Sequence, residues 1–240
     1  MNSTFEYVGH ELDQAALATN WKTYFGSRLA PYIVGDVLEV GAGLGGTTVH
    51  LRDGRQDSWV CLEPDAALAG RLEERLATDS SKVPTRVVVG DLTSVAETER
   101  FDCILYIDVL EHIEDDRGEV LRAMAHLKPG GALVVLCPAF MVLFSEMDHA
   151  LGHFRRYTKS TLAAVFPPEL KRVELFYLDS LGMIASLANK LFLKQGAPKE
   201  GQVRFWDRTI IPISRVLDRV LLFALGRSVI AIYGKSASNG

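Results

Sequence analysis

Apolar positions recur along this chain with two alternating periods, and the alternation predicts layered helices and strands. In residues 10–30, Leu17, Trp21, Phe25 and Leu29 recur at i+4 and form one apolar helical stripe, which Pro31 ends. Residues 36–40 form a short apolar run and read as strand one. Residues 47–51 open a helix. Strand two is predicted at 58–62. Helix 65–77 then carries Leu68, Leu72 and Leu76 on one face, with Asp65 as its N-cap. Strands three and four fall at 86–89 and 101–107. Helix 115–127 turns Val120, Leu121, Met124 and Leu127 inward. Lys128-Pro129-Gly130-Gly131 is a turn, because proline fixes φ and glycine permits φ > 0. Strand five follows at 132–137. Strands alternating with amphipathic helices give a mostly parallel sheet covered on both faces, and right-handed crossovers make it doubly wound.

The pattern changes after residue 140. Residues 140–157 mix polar and aromatic side chains without a clean period. A short helix at 158–166 is closed by Pro167-Pro168. Residues 172–178 and 227–234 read as the last strands. Between them, 181–193 and 209–225 read as apolar helices, separated by a polar loop at 195–203. In the second helix Ile213, Leu217, Val220, Leu221 and Leu225 fall to one side. Core packing, a homodimer interface and a lipid-facing surface all fit that stripe.

Composition narrows the class. The 240 residues are 48% hydrophobic and 23% charged, enough apolar material for a full core. The expected organisation is a single domain over 1–240, with an N-terminal helical lid (1–35), a core (36–138) and an acceptor-side segment (139–240). The net charge is -4 with no long basic run, so no nucleic-acid partner is expected. Cys61, Cys103 and Cys137 each sit in an apolar strand run, so buried, reduced thiols are expected. No cysteine pair has metal-ligand spacing, and no metal is expected. The first ten residues lack a secretory pattern, and no apolar run near the C-terminus reaches the ~18 residues of a span. The expected location is therefore cytoplasmic, with peripheral membrane contact left open.

The chemistry starts at the glycine loop after strand one, Gly41-Ala42-Gly43-Leu44-Gly45. Bare backbone lets a ligand approach closely, and the following helix presents free N–H groups. Gly41, Gly43 and Gly46 also satisfy G-x-G-x-x-G, so a nicotinamide enzyme stays open at this point. Glu63, at the end of strand two, is placed to accept hydrogen bonds from ribose hydroxyls in either case.

Further motifs separate the two. Val37 to Gly45, including Glu39 two residues before the first glycine, resembles motif I of the class I S-adenosylmethionine (SAM)-dependent methyltransferases, in a branch similar to the type 11/12 methyltransferases. Gly90-Asp91-Leu92, the stretch Phe101 to Ile113 and Lys128 to Leu133 resemble later motifs of that family, in its order and spacing. The resemblance covers roughly residues 36–138. It implies a Rossmann-like α/β sheet of seven strands in the order 3-2-1-4-5-7-6, strand seven antiparallel, with an N-terminal helical lid and a helical insertion between strands six and seven. It implies SAM as methyl donor and S-adenosylhomocysteine as product. The backbone of the loop, with Gly41, Ala42, Gly43 and Gly45, would cradle the methionine part, and Glu39 would belong to the same cofactor site. Glu63 would hold the ribose, with Pro64 beside it; Asp91 would accept from the adenine amino group and Leu92 would donate from its backbone, with Gly90 beside them; Asp108, next to Val109, would lie near the sulfonium or amino-acid end. Glu111 and His112 would hold the turn after strand four or face the site. Tyr24, in a lid that also carries Tyr7, His10 and Trp21, would touch the SAM carboxylate.

Ligands of doubly wound folds lie at the carboxyl ends of the strands, so the segment after strand five is the natural acceptor wall. Asp148 to Tyr157 reads DHALGHFRRY and resembles a pattern in one branch of the family. His149 or His153 would serve as general base, and Arg155 or Arg156 would clamp an acidic group, with Tyr157 beside them. The expected function is methyl transfer to a small molecule, at oxygen in secondary, glycan or lipid metabolism, with nitrogen or carbon as alternatives. The acceptor would be acidic or lipid-linked. A nicotinamide oxidoreductase and a non-catalytic SAM-binding subunit are the readings from other classes.

Overall fold

The computed structural model describes residues 17–193 and 199–237, the side chains of 192 and 193 excepted. Seven strands form one sheet: β1 (Gly35–Val40), β2 (Gln56–Glu63), β3 (Thr85–Val89), β4 (Phe101–Ile107), β5 (Leu127–Pro138), β6 (Leu170–Leu178) and β7 (Ser228–Lys235). Their order is β3-β2-β1-β4-β5-β7-β6. The first five run parallel, and β7 pairs antiparallel to both β5 and β6. The expected order and the reversed last strand are both present.

The helices are α1 (Thr19–Leu29), α2 (Thr48–Leu51), α3 (Ala66–Thr78), α4 (Asp116–Ala125), α5 (Glu146–Ala150), α6 (Lys159–Ala163), α7 (Ser180–Ala188), α8 (Glu200–Phe205) and α9 (Ile211–Val220). Asp65 caps α3 as expected, accepting from the backbone of Ala67 and Leu68. The central strands are apolar at nearly every position because both faces are covered. Strand alternation sends Leu38, Ile104, Leu133 and Val135 to one face, against Val120 and Ala123 of α4. Val37, Cys103, Leu105 and Val134 point to the other, with Phe25 and Leu29 of α1. Each fully buried aliphatic side chain contributes roughly 1.5–3 kcal/mol. The three cysteines are buried and free. No helix among the described residues is long and apolar enough to cross a membrane.

Several local expectations need correction. Residues 10–16 of the expected first helix lie outside the described residues, as do Tyr7 and His10. Leu121 is exposed on α4, and Ala123 takes the inward place. β5 begins at Leu127, so Lys128–Gly131 is an irregular stretch within the strand rather than a turn before it, with Gly130 at φ 82°. The register against β4 shifts there, between Phe101 and Cys103. Part of the polar loop expected at 195–203 is helical, since α8 starts at Glu200. The helices expected at 181–193 and 209–225 are interrupted: α7 runs into a π-turn at Asn189–Leu193, and a second π-turn at Trp206–Ile210 precedes α9, which stops at Val220.

The largest correction concerns the face of α9. Its buried side chains are Ile211, Ser214 and Asp218, whereas Ile213, Val216 and Val220 are exposed. The apolar stripe therefore does not pack on the core. Asp218 decides the orientation. It accepts from the Tyr24 hydroxyl (2.9 Å), the Asp179 N–H (2.7 Å) and the Ser180 N–H (2.9 Å). Asp179 in turn accepts from Gly182 N–H, Ser214 Oγ and Trp206 Nε1. Asp207 accepts from the backbone of Asn20 and Trp21. These buried carboxylates fasten the insertion to α1 and to the end of β6.

Candidate functional site

The carboxyl ends of β1, β2, β4 and β5 open into one cleft of about 2100 Å³, roofed by α5 and the β6–β7 insertion. Ordinary small-molecule sites are roughly 300–1,000 Å³, so there is room for two ligands side by side.

The first half of the cleft lies on the glycine loop. Gly41 and Gly43 have φ of 69° and 55°, a region other residues enter only under strain. A Cβ on Gly41 would meet Val109 Cγ2 at 2.6 Å, so this cradle needs glycine for space as well as conformation. Gly41, Ala42, Gly43, Leu44 and Gly46 line the cleft. Glu63 receives N–H bonds from Gly43 (2.7 Å, Oε2) and Asp65 (3.0 Å, Oε1). Burial pushes its carboxyl up in pKa, and those two amides work against the shift. Pro64, Gly90, Asp91, Asp108 and Val109 line the same half. Thr93 holds one oxygen of Asp91 through its N–H and hydroxyl, and this lowers the Asp91 pKa. Asp108 sits at positive φ (54°) at the end of β4 and opens onto the cleft. The protein around it raises its pKa, while His153, Arg227 and Arg156 oppose the rise.

Four of the expected cofactor residues do not line the cleft. Glu39 lies beneath the loop, 2% exposed, accepting from Thr48 Oγ1 (2.7 Å) and Trp59 Nε1 (3.0 Å). It braces β1 against α2 and β2. Gly45 spends its N–H on Ala42 O inside the turn, and the Leu92 side chain is buried, though the donor expected there is its backbone N–H. Tyr24 is 2% exposed with its hydroxyl committed to Asp218. Lys22 and Arg75 were not anticipated and do border the loop. Lys22 Nζ would lie 3.3 Å from a Cβ on Gly46, and burial followed by the Arg75 charge lowers its pKa to about 8. Lys22 is one of several polar positions on α1, beside Thr19, Asn20, Thr23, Ser27 and Arg28, so periodicity gives no sign of it.

The second half of the cleft centres on Asp148, 1% exposed on α5. Arg156 grips it with two bonds, Nε to Oδ1 (2.8 Å) and Nη2 to Oδ2 (2.9 Å). Ser145, the helix cap, adds its N–H and hydroxyl. His153 donates Nδ1–H to Oδ1 at 2.8 Å. Burial alone would raise the Asp148 pKa, but these donors hold it well below the usual carboxylate range. An ionised Asp148 only accepts, so His153 carries a proton on Nδ1, and in the neutral ring Nε2 holds the lone pair. The His153 ring stands edge-on to His112, centroids 4.5 Å apart. His149 also borders the cleft, its ring against Phe144.

Arg155 and Tyr157, expected beside the acceptor, point elsewhere. Arg155 pairs with Asp116 at 2.6 Å and bonds the Glu114 carbonyl. Tyr157 is 2% exposed and also donates to Asp116. Both pin the loop after β5 to α4, and neither lines the cleft. Glu111 and His112 do line it.

Residues 38–133 match the methyltransferase domain family. A 111-residue stretch is 29% identical to norajmaline N-methyltransferase of Rauvolfia serpentina, covering 42% of this chain but only 35% of that protein. Among solved structures, a putative methyltransferase complexed with the Trm112 activator from Haloferax volcanii superposes with a TM-score of 0.64 at 16% identity, over 95% of each chain. The N-methyltransferase NodS of Bradyrhizobium japonicum WM9, bound to S-adenosylhomocysteine, gives 0.59 at 17% identity, over 96% of this chain and 93% of that one.

Proposed function

We propose that this chain, which belongs to the class I SAM-dependent methyltransferase family, transfers the methyl group of SAM to a hydroxyl oxygen of a small molecule. One observation carries the reading: the glycine loop with Glu63 and the Asp148–His153 pair face a single cleft.

The residues of the first half fit the donor. Glu63 at the end of β2 suits two ribose hydroxyls, which would displace its present amide partners or share it with them. The cradle over Gly41 and Gly43 admits a backbone-close ligand. Lys22 and Arg75 supply positive charge for an amino-acid carboxylate. SAM supplies a methyl group already activated on a sulfonium, with a neutral thioether as leaving group. The protein's own tasks are to align the acceptor, exclude water and take a proton from it. His153, with its lone pair on Nε2 and Asp148 holding the opposite nitrogen, is built for the last task. His149 is the second basic group on this wall.

The oxygen preference rests on that base, since an alcohol arrives protonated and a neutral amine does not need deprotonation first. Incubation with radiolabelled SAM and a panel of hydroxylated and amino acceptors tests it. The label is expected in a methyl ether or ester. A label on nitrogen alone would overturn the oxygen assignment and leave the donor in place.

The exposed face of α9 favours an acceptor presented at a membrane. Ile213, Val216, Val220 and Leu222 are exposed, and Arg204, Arg208, Arg215 and Arg219 are exposed around them. Of the nearby acids, Asp207 and Asp218 are buried, and exposed Glu200 pairs with Arg204 and leaves Arg208, Arg215 and Arg219 as the basic surround. Apolar side chains in a basic surround suit an anionic bilayer surface better than a second copy of the same basic face.

A further inference from the structure

Beside the donor half, three ligating side chains converge on the floor of the cleft. One carboxylate oxygen of Glu111 and one ring nitrogen each of His112 and His153 lie within 4.8 Å of one another. Glu111 is fully buried, and neither of its carboxylate oxygens has a hydrogen bond of normal geometry among the described residues; only the weak thiol donor of Cys137 lies against it. A buried carboxylate without a partner is costly in its charged form, so it either keeps a proton or meets a cation. Arg156, the nearby guanidinium, is already committed twice to Asp148.

Both imidazoles are tethered through one ring nitrogen. Asp148 holds Nδ1 of His153, and the Leu151 carbonyl holds the His112 ring. Each neutral ring then keeps one lone pair. A carboxylate or carbonyl fixing the far nitrogen is the arrangement that orients metal-binding histidines. We propose that Glu111, His112 and His153 bind one divalent transition-metal ion, of the zinc, cobalt or iron(II) class, on the acceptor side of the cleft.

Two imidazoles and one carboxylate suit such ions, whereas magnesium and calcium want more oxygen ligands. Ligands sharing an ion at ~2.1 Å lie about 3–3.5 Å apart, so side-chain rotations of about an ångström complete the site. Asp108 adds a second negative charge next to Glu111. Three protein ligands leave coordination positions open toward the cleft. A hydroxyl or carboxylate oxygen of the acceptor fits them; this last point rests on the reading of the site as a methyltransferase, and the ion site itself does not. With the ion bound, His153 is a ligand and His149 is the base that remains.

Untagged, metal-stripped protein titrated with Co²⁺ tests the site. Visible d–d bands should saturate at one ion per chain and bleach on addition of Zn²⁺. Glu111→Gln and His112→Ala should each weaken Co²⁺ binding by roughly 10-fold or more, and His149→Ala should leave it unchanged. Circular dichroism of each variant confirms that it is folded. S-adenosylhomocysteine binding is measured on the same samples. Saturating Co²⁺ binding that depends on Glu111 supports the site even where S-adenosylhomocysteine does not bind, an outcome that would defeat only the methyltransferase reading. No stoichiometric Co²⁺ signal, or Glu111→Gln binding like the parent, overturns the metal site.

Discussion

Glu39 and Glu63 flank the glycine loop with opposite jobs. Glu63 offers its carboxylate to the cleft, and losing hydrogen bonds to a charged group of this kind costs about 1.5–3 kcal/mol. Glu63→Ala should therefore weaken S-adenosylhomocysteine binding by roughly 10- to 100-fold in calorimetry, with little change in melting temperature. Glu39 is sealed in, and burial raises its pKa from 4.5 to about 7. The folded state thus holds its proton to higher pH than the unfolded chain does. Its contribution to stability is full below the unfolded value and is lost as pH rises from there through 7. The loss is on the order of 3 kcal/mol for this shift. Glu39→Gln keeps an acceptor for Thr48 and Trp59 and removes the titration. Denaturant midpoints of parent and variant should converge near pH 4 and separate by pH 8 in favour of the variant. Parallel curves would sink this account of Glu39. Both acids stand out in the sequence because the motif marks them. Their different roles do not, since Thr48 and Trp59 reach Glu39 from separate elements that only the fold brings together.

At the scale of elements, the strands and helices described up to residue 138 follow from periodicity, except that β5 begins at Leu127 and not at 132. The insertion does not, and α9 explains why. Its period announces a helix and an apolar stripe, yet the buried side is chosen by Asp218, whose partners come from α1 and from the backbone leading into α7. Hydropathy cannot register a carboxylate that is satisfied by amides far along the chain. Asp218→Ala leaves two buried N–H groups without an acceptor and should lower stability by about 3 kcal/mol or more, read as a drop in melting temperature. Tyr24→Phe removes one donor and should cost about 1 kcal/mol. The outward stripe carries a separate expectation. Val220→Asp with Leu222→Asp should abolish co-sedimentation with phosphatidylglycerol vesicles while leaving the fold intact. Parent protein that stays in the supernatant at low salt counts against the membrane surface.

At the scale of the whole molecule, reversing one strand at the end of a parallel sheet lets the chain return across the cleft. The sheet ends form the glycine-loop half of the cleft, and α5 with the insertion up to Ile210 closes the other half. The glycine-loop half is readable in the sequence because glycines, a strand-end acid and their spacing are local. The other half is readable only in outline. Asp148, His153 and Arg156 lie within nine residues, but Glu111 and His112 join them from another strand end. A ligand that binds only the folded state stabilises it by about 2.7 kcal/mol at 100 times its Kd, so S-adenosylhomocysteine should raise the melting temperature measurably. The most direct measurement is a crystal structure with S-adenosylhomocysteine bound. Ribose hydroxyls are expected on Glu63, the chain of the ligand over Gly41 and Gly43, and the sulfur opening toward the His112–His153 pair. A ligand that leaves Glu63 untouched, or whose sulfur faces away from that pair, would contradict this expectation.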